Sequence, residues 1–244
     1  MSKLGKTNAE FGLIQEGDKI LVGLSGGKDS LVLVHALKEQ QRRAPFHFEF
    51  IAVTVAYGMN EDLDELKLHC RQHGIVHEVF ETNIYSLAEE KIRRNSSFCS
   101  FFSRMRRGSL YSAAKQHGCN KVALGHHLDD AVESFFMNFM YNGQLRTLSP
   151  KYTADNGLDI IRPLIQLRER QLLAAAIDNN LPLIGDEACP SMRFDVKMPH
   201  ARDETKKMLK DIEEKHPALF VSLNSAFKNI AIDSFFKFNT RNKI

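Results

Sequence analysis

Two short runs of this chain have the residue types and spacing to do chemistry. The first, Ser25-Gly26-Gly27-Lys28-Asp29-Ser30, follows the apolar run Lys19 to Leu24 and leads into Leu31 to Leu37. Gly26 and Gly27 lack a Cβ and accept positive φ, so a phosphate can reach the backbone N–H groups, and the helix expected after them aims its partial positive end at the same point. Lys28 adds a full charge, Ser25 and Ser30 can donate hydroxyls to phosphate oxygens, and Asp29 is placed to cap the helix or reach a bound cation. The run is not a Walker A loop, which needs a glycine where this chain has Val22 and a Ser or Thr where it has Asp29. The bland alternative is a Gly-Gly turn before a capped helix.

The second run, Gly125-His126-His127-Leu128-Asp129-Asp130, closes the apolar segment Lys121 to Leu124. Asp129 and Asp130 offer hard oxygens that suit Mg²⁺ beside a triphosphate. The same acids would also stabilise a helix N-terminus with no metal, and the phosphate loop is what favours the metal. Gly125 and His126 are expected to reach the bound nucleotide from the strand end. His126 and His127 could act on leaving groups, or be neutral histidines satisfied by backbone carbonyls.

The elements that must position these runs alternate. Strands are predicted at 19–24, 46–55, 75–80, 121–125 and 159–161, and helices from Leu31, at about 60–73, 87–94, 100–117, 129–141, 168–177 and 202–214, with a helical tail beyond Pro217. Strand and helix in turn predict an α/β fold, a doubly wound, mostly parallel sheet with a C-terminal helical extension, whose ligands bind at the carboxyl ends of the strands. Ser25 and His126 both fall at such ends. The expected division is a core domain over 1–185 and helices over 186–244 packed on it.

The hexapeptide resembles the SGGxDS loop of the PP-loop ATP pyrophosphatases. Further matches follow in order: Cys99-Ser100-Phe101-Phe102-Ser103-Arg104-Met105-Arg106-Arg107-Gly108, then the GHHLDD run, Ser149-Pro150-Lys151 and Ile161-Arg162-Pro163-Leu164. Together they resemble the tRNA 2-thiocytidine biosynthesis proteins, relatives of tRNA(Ile)-lysidine synthetase, over about residues 10 to 230. The resemblance implies a Rossmann-like sheet of the adenine nucleotide alpha hydrolase type. It also implies cleavage of ATP to AMP and pyrophosphate with Mg²⁺, adenylation of a cytidine carbonyl oxygen in tRNA, and replacement of that oxygen by sulfur. Ser25, Gly26, Gly27, Lys28, Asp29 and Ser30 would then bind ATP, with Lys28, Asp29 and Asp130 acting in catalysis. Arg104, Arg106 and Arg107, in a cluster that begins at Arg93 and Arg94, would contact RNA phosphates, although such a cluster without the family context reads as a solvated helix face.

The resemblance further implies an iron–sulfur cluster on three cysteines. Here Cys99 and Cys189 match two of them, while Phe102 stands where the second cysteine of a Cys-x-x-Cys pair belongs, and Phe cannot ligate iron. The retained pair could hold iron or carry sulfur, fed by a sulfur donor protein, as a persulfide with a resolving thiol. The alternatives are a PP-loop ligase acting on another carbonyl acceptor, of lysidine or amide-forming type, and an ATP-binding protein that has lost thiolation.

Composition bounds the remaining classes. The 244 residues are 43% hydrophobic and 26% charged, with a net charge of +3, too small for unspecific nucleic-acid binding without local clustering. Apolar runs fall far short of a membrane helix, and the first residues have no signal-peptide core, so a cytoplasmic protein without a membrane partner is expected. Four cysteines without regular spacing argue for thiols, metal ligands or redox groups instead of disulfides. A homodimer is left open.

Overall fold

The structure, a computed structural model, describes residues 3–91, 98–182 and 200–236. A helix α1 (Lys3–Phe11) leads into β1 (Lys19–Gly23), α2 (Lys28–Arg43), β2 (Glu49–Ala56), α3 (Asp64–Gln72), β3 (His77–Glu81), α4 (Ile84–Lys91) and α5 (Phe98–Gln116). Then come β4 (Lys121–Ala123), α6 (Leu128–Asn142), β5 (Lys151–Thr153), β6 (Asp159–Ile161) and α7 (Glu169–Asp178), followed by α8 (His200–Lys215) and α9 (Leu219–Ala226). The sheet runs β3-β2-β1-β4-β6-β5 and is parallel except for β5, which pairs antiparallel with β6.

The register explains why helices cover both faces. Ile51, Leu21, Val122 and Ile160 form one row across four strands and pack among residues of α4 and α5. The neighbouring row, Ala52, Val22, Ala123 and Ile161, faces α2, α3 and α7 through Leu33, Leu37, Leu66 and Leu172. Alternation by one residue thus feeds two cores, which is what a buried parallel sheet requires. A third cluster joins Leu128 and Val132 of α6 to Leu209 and Phe220, so the C-terminal helices rest on α6. No helix among the described residues is long and apolar enough to cross a membrane.

The chain leaves β1 toward β2 and β3, then returns to place β4 on the other side of β1. That reversal opens a crevice at the carboxyl ends of β1 and β4, the usual ligand position in such sheets. The opposite end of the sheet is closed by charge: Lys121, 2% exposed, donates to Asp18 at 2.6 Å and to the Leu13 carbonyl at 3.0 Å, and Asn120 donates to the other Asp18 oxygen at 2.8 Å. Both charges are satisfied, so removing one leaves the other buried and alone. Asp18→Ala should lower the unfolding free energy by about 3–5 kcal/mol, read from urea denaturation; a loss below about 1 kcal/mol would show that water reaches Lys121.

Candidate functional site

The first run forms the turn from β1 to α2. Gly26 has φ +83°, a left-handed conformation that glycine adopts without strain. Gly27 is the N-cap of α2 and has no side chain to cap with, so the first turn of α2 carries no side-chain cap. Ser30 braces the loop from within: its hydroxyl donates to the Gly27 carbonyl at 2.9 Å, accepts from the Ser25 N–H at 3.1 Å and lies 3.2 Å from the Ser25 hydroxyl. The loop is preformed, with its backbone donors left for an anion.

The second run forms the turn from β4 to α6 and presses against the first. A Cβ on Gly125 would lie 3.2 Å from the Asp29 carbonyl carbon and 3.3 Å from the Ser30 nitrogen. Glycine is therefore what lets the end of β4 meet the first turn of α2. His127 caps α6 in a capping box with Asp130, whose Oδ2 accepts from the His127 N–H at 3.0 Å. The His127 ring also faces both Asp29 and Asp130, at 3.8 and 3.3 Å. Burial raises the Asp29 carboxyl above the ordinary aspartate range despite Lys28 beside it. Asp29 Oδ1 is buried without a hydrogen-bond partner, an arrangement that suits a cation ligand.

Asp129 has a different part. Its two oxygens accept from Arg168 Nε at 3.0 Å and from the Glu169 N–H at 2.7 Å, so it fixes the start of α7. Asp29 and Asp130 line the cleft together, and Asp129 Oδ2 also lies 3.6 Å from His127 Nδ1. The anchored Glu169 accepts from Lys28 Nζ at 2.8 Å. Burial works against the Lys28 charge, but Glu169 and Asp29 outweigh it and hold its pKa above the ordinary lysine value.

A cleft of about 350 Å³ opens over these turns, within the range of small-molecule sites. Ser25, Asp29, Ser30, Gly125, His126 and Asp130 line one side. Arg106 and Arg107 of α5 line the other, with Ser103, Leu110 and Tyr111 from the same helix face. Arg104, on another face of α5, is exposed and does not line the cleft. Burial and the adjacent Arg162 charge push His126 down to about 4, so it is a neutral imidazole near pH 7. Arg93 and Arg94 lie outside the described residues.

Arg202 of α8 closes the rim. It donates to Asp130 at 2.8 Å and to Glu133 at 2.9 Å. Sequence reading assigned nothing to this helix, because its mixed charges match a solvated face; no local pattern marks Arg202, Glu169 or Arg168 as neighbours of the loop.

Cys189 lies outside the described residues, and Cys99 belongs to the first turn of α5. Phe102, one turn on, is 4% exposed and packed in the α4–α5 core with Tyr57 and Phe101. Cys70 and Cys119 are buried free thiols with raised pKa values, Cys70 at about 11 through burial. Cys99 and Cys189, with Phe102 three residues after Cys99, are the cysteines that remain.

Residues 2–198 match the family model of the PP-loop domain. The chain is similar to the tRNA-cytidine(32) 2-sulfurtransferase of Geobacter metallireducens, 41% identical over 230 residues that cover 93% of this chain and 88% of the relative. It is also similar to the protein of the same name from Syntrophotalea carbinolica, 42% identical over 93% of this chain and 86% of that one. Among solved structures, the U34-tRNA thiolase NcsA from Methanococcus maripaludis with its 4Fe-4S cluster shares the fold, with a TM-score of 0.72 at 22% identity over 93% of this chain and 76% of that one.

The contact at Gly125 generates a test. Gly125→Ala should weaken ATP binding about ten- to a hundredfold by displacing the first turn of α2, while the far-UV spectrum stays unchanged. Wild-type affinity, measured by calorimetry, would mean that the two turns need not touch.

Proposed function

The chain belongs to the PP-loop family and, within it, to the tRNA 2-thiocytidine group, and from that membership we propose that it adenylates the C2 oxygen of a tRNA cytidine and replaces that oxygen with sulfur. The names of the relatives point to the cytidine at position 32. The observation that carries the reading is one cleft in which an uncapped helix N-terminus and the unpartnered Asp29 oxygen face Arg106 and Arg107.

The residues divide the work by charge. Backbone N–H groups of the loop, with Ser25 and Lys28, hold the ATP phosphates; Lys28 exchanges Glu169 for phosphate when ATP enters. Asp29 and Asp130 would hold Mg²⁺, which supplies charge neutralisation on the phosphates. Arg106 and Arg107 hold the tRNA backbone so that a cytidine carbonyl reaches the α-phosphorus. The carbonyl oxygen forms a bond to that phosphorus as the α–β bridging bond breaks, and pyrophosphate leaves with its charge on Lys28 and the loop. Neutral His126 borders the cleft without adding a charge that would compete for phosphate.

The adenylated C2 is then open to a sulfur nucleophile. No step is derived through an iron–sulfur cluster, because the cysteines do not fit one. With Cys99 and Cys189 as the working pair, a persulfide-carrying donor protein transfers its outer, sulfane-level sulfur to one thiolate and leaves as a thiol; the new persulfide attacks C2, AMP departs with the former carbonyl oxygen, and the base is held as a mixed disulfide. The second thiolate attacks the cysteine sulfur of that link, releasing the thiocarbonyl and leaving a Cys99–Cys189 disulfide, which an external dithiol reduces. The buried Phe102 favours one competing reading, in which an amine replaces sulfur as the nucleophile.

Two variant sets test the account. Lys28→Ala should lower tRNA-dependent AMP formation about 10²–10³-fold with the fold intact; wild-type turnover would refute its role. Cys99→Ser and Cys189→Ser should each abolish the thiolated nucleoside, read by mass spectrometry of digested tRNA, while ATP binding persists. Thiolation surviving in both variants would remove the persulfide route, and an amine adduct in the wild type would install the competing reading.

A further inference from the structure

Away from the cleft, three of the chain's ten histidines converge between α2 and α3. His35 projects from α2 about two turns after Lys28, roughly 10 Å along the helix axis, toward His69, one of whose ring nitrogens it meets at 2.8 Å, Nε2 to Nε2. His73, the C-cap of α3, follows His69 by one turn, and their ring centroids lie 4.2 Å apart. The ring centroid of His35 is 5.0 Å from each of the other two. One ligand nitrogen from each ring falls within 4.8 Å of the others.

Nothing in the phosphate-loop chemistry uses this cluster. Hydrophobic packing alone does not ask for three imidazoles here, whose lone pairs compete and whose cations would repel one another. His73 Nδ1 lies 2.9 Å from the His69 carbonyl and donates to it, which turns Nε2 toward the other rings as the ligating nitrogen. Metal-bound histidines are oriented by this kind of contact. The burial is graded, with His69 buried, His35 half-buried and His73 exposed, so an ion has an entry side.

We propose that His35, His69 and His73 form a binding site for a divalent cation of the Zn²⁺ class, which ties α3 to the helix that carries the phosphate loop. Three imidazoles with an open fourth position for water are a recognised zinc donor set, and Zn–N bonds of 2.0–2.1 Å place tetrahedral nitrogens about 3.3 Å apart. The 2.8 Å pair must open by about half an ångström and the wider pairs close by up to about 1.5 Å. The exposed His73 ring has room for that adjustment. Lys38 opposes a cation from α2, but its ammonium is engaged with the Gly74 carbonyl, and Glu65, one turn before His69, offsets it by favouring positive charge there.

The test uses full-length protein stripped with chelator, kept reduced with a phosphine and saturated with Mg²⁺, then titrated with Co²⁺ and back-titrated with Zn²⁺. One equivalent of Co²⁺ should give visible d–d absorption without thiolate charge-transfer bands, and Zn²⁺ should displace it. His73→Ala and His35→Gln should each weaken binding at least tenfold and lose the rise in Tm that Zn²⁺ gives the wild type. Their Tm in chelator should match the wild type, and a Cys99→Ser, Cys189→Ser variant should keep the absorption. Absent absorption, equal binding by His73→Ala, or thiolate bands lost with the cysteines would each overturn the proposal.

Discussion

The site depends on one close approach: the end of β4 must touch the first turn of α2. Gly125 lies against the Asp29 and Ser30 backbone at distances no Cβ would tolerate without displacement. That contact brings His127 and Asp130 to face Asp29, and it exists because β4 lies beside β1 and not beside β3. Two motifs from distant parts of the chain become one anion site through a parallel register, Val22 on Ala123, and a missing methyl. The remaining features tune charge around that junction.

Charge tuning comes chiefly from helices that follow the sheet. Asp129 holds the start of α7, Arg168 joins it to Glu213 of α8 with two hydrogen bonds at 2.7 and 2.9 Å, and the Arg168 guanidinium lies 3.3 Å over the Phe220 ring. A bidentate pair of this kind fixes orientation as well as contributing energy. The result is that Glu169 is placed to accept from Lys28. Lys28 thus has a carboxylate partner in the absence of phosphate, and the loop does not leave its lysine unpaired in a half-buried setting. Arg202 treats Asp130 and Glu133 in the same way from α8. The raised Glu133 carboxyl shows the cost of its burial, which Arg202 and Lys206 oppose.

Much of this was legible in sequence because the signals were local. The glycine pair after an apolar run marked the β1–α2 turn, and strand and helix in alternation marked the doubly wound sheet. Gly118, at φ +62°, follows the end of α5, next to the limit of 117 predicted for that helix. What escaped had no local mark. Helix α1 and strand β5 were not anticipated, although Asn156-Gly157, with Gly157 at φ +83°, is a turn signal between β5 and β6. Asp129 and Asp130 are adjacent in sequence yet take different partners, Arg168 and the Glu169 N–H for the first and Arg202 and the His127 N–H for the second. Arg106 and Arg107 reach the cleft and Arg104 does not, a difference that their spacing alone does not mark. Arg202 and Glu169 needed tertiary structure, because mixed charges on a helix look the same whether they meet water or a buried aspartate. The Phe102 departure was visible, and its burial beside Tyr57 gives it a packing role in the α5 core.

The central claim is that the cleft transfers AMP onto a cytidine oxygen. The most direct measurement supplies tRNA carrying ¹⁸O at the cytidine C2 oxygen, with ATP, Mg²⁺, a persulfide-carrying sulfur donor and a dithiol under anaerobic conditions, and analyses the released nucleotide by mass spectrometry. The account predicts tRNA-dependent AMP with the ¹⁸O in its phosphate, together with one pyrophosphate per turnover. Unlabelled AMP, or ADP with inorganic phosphate, would contradict it.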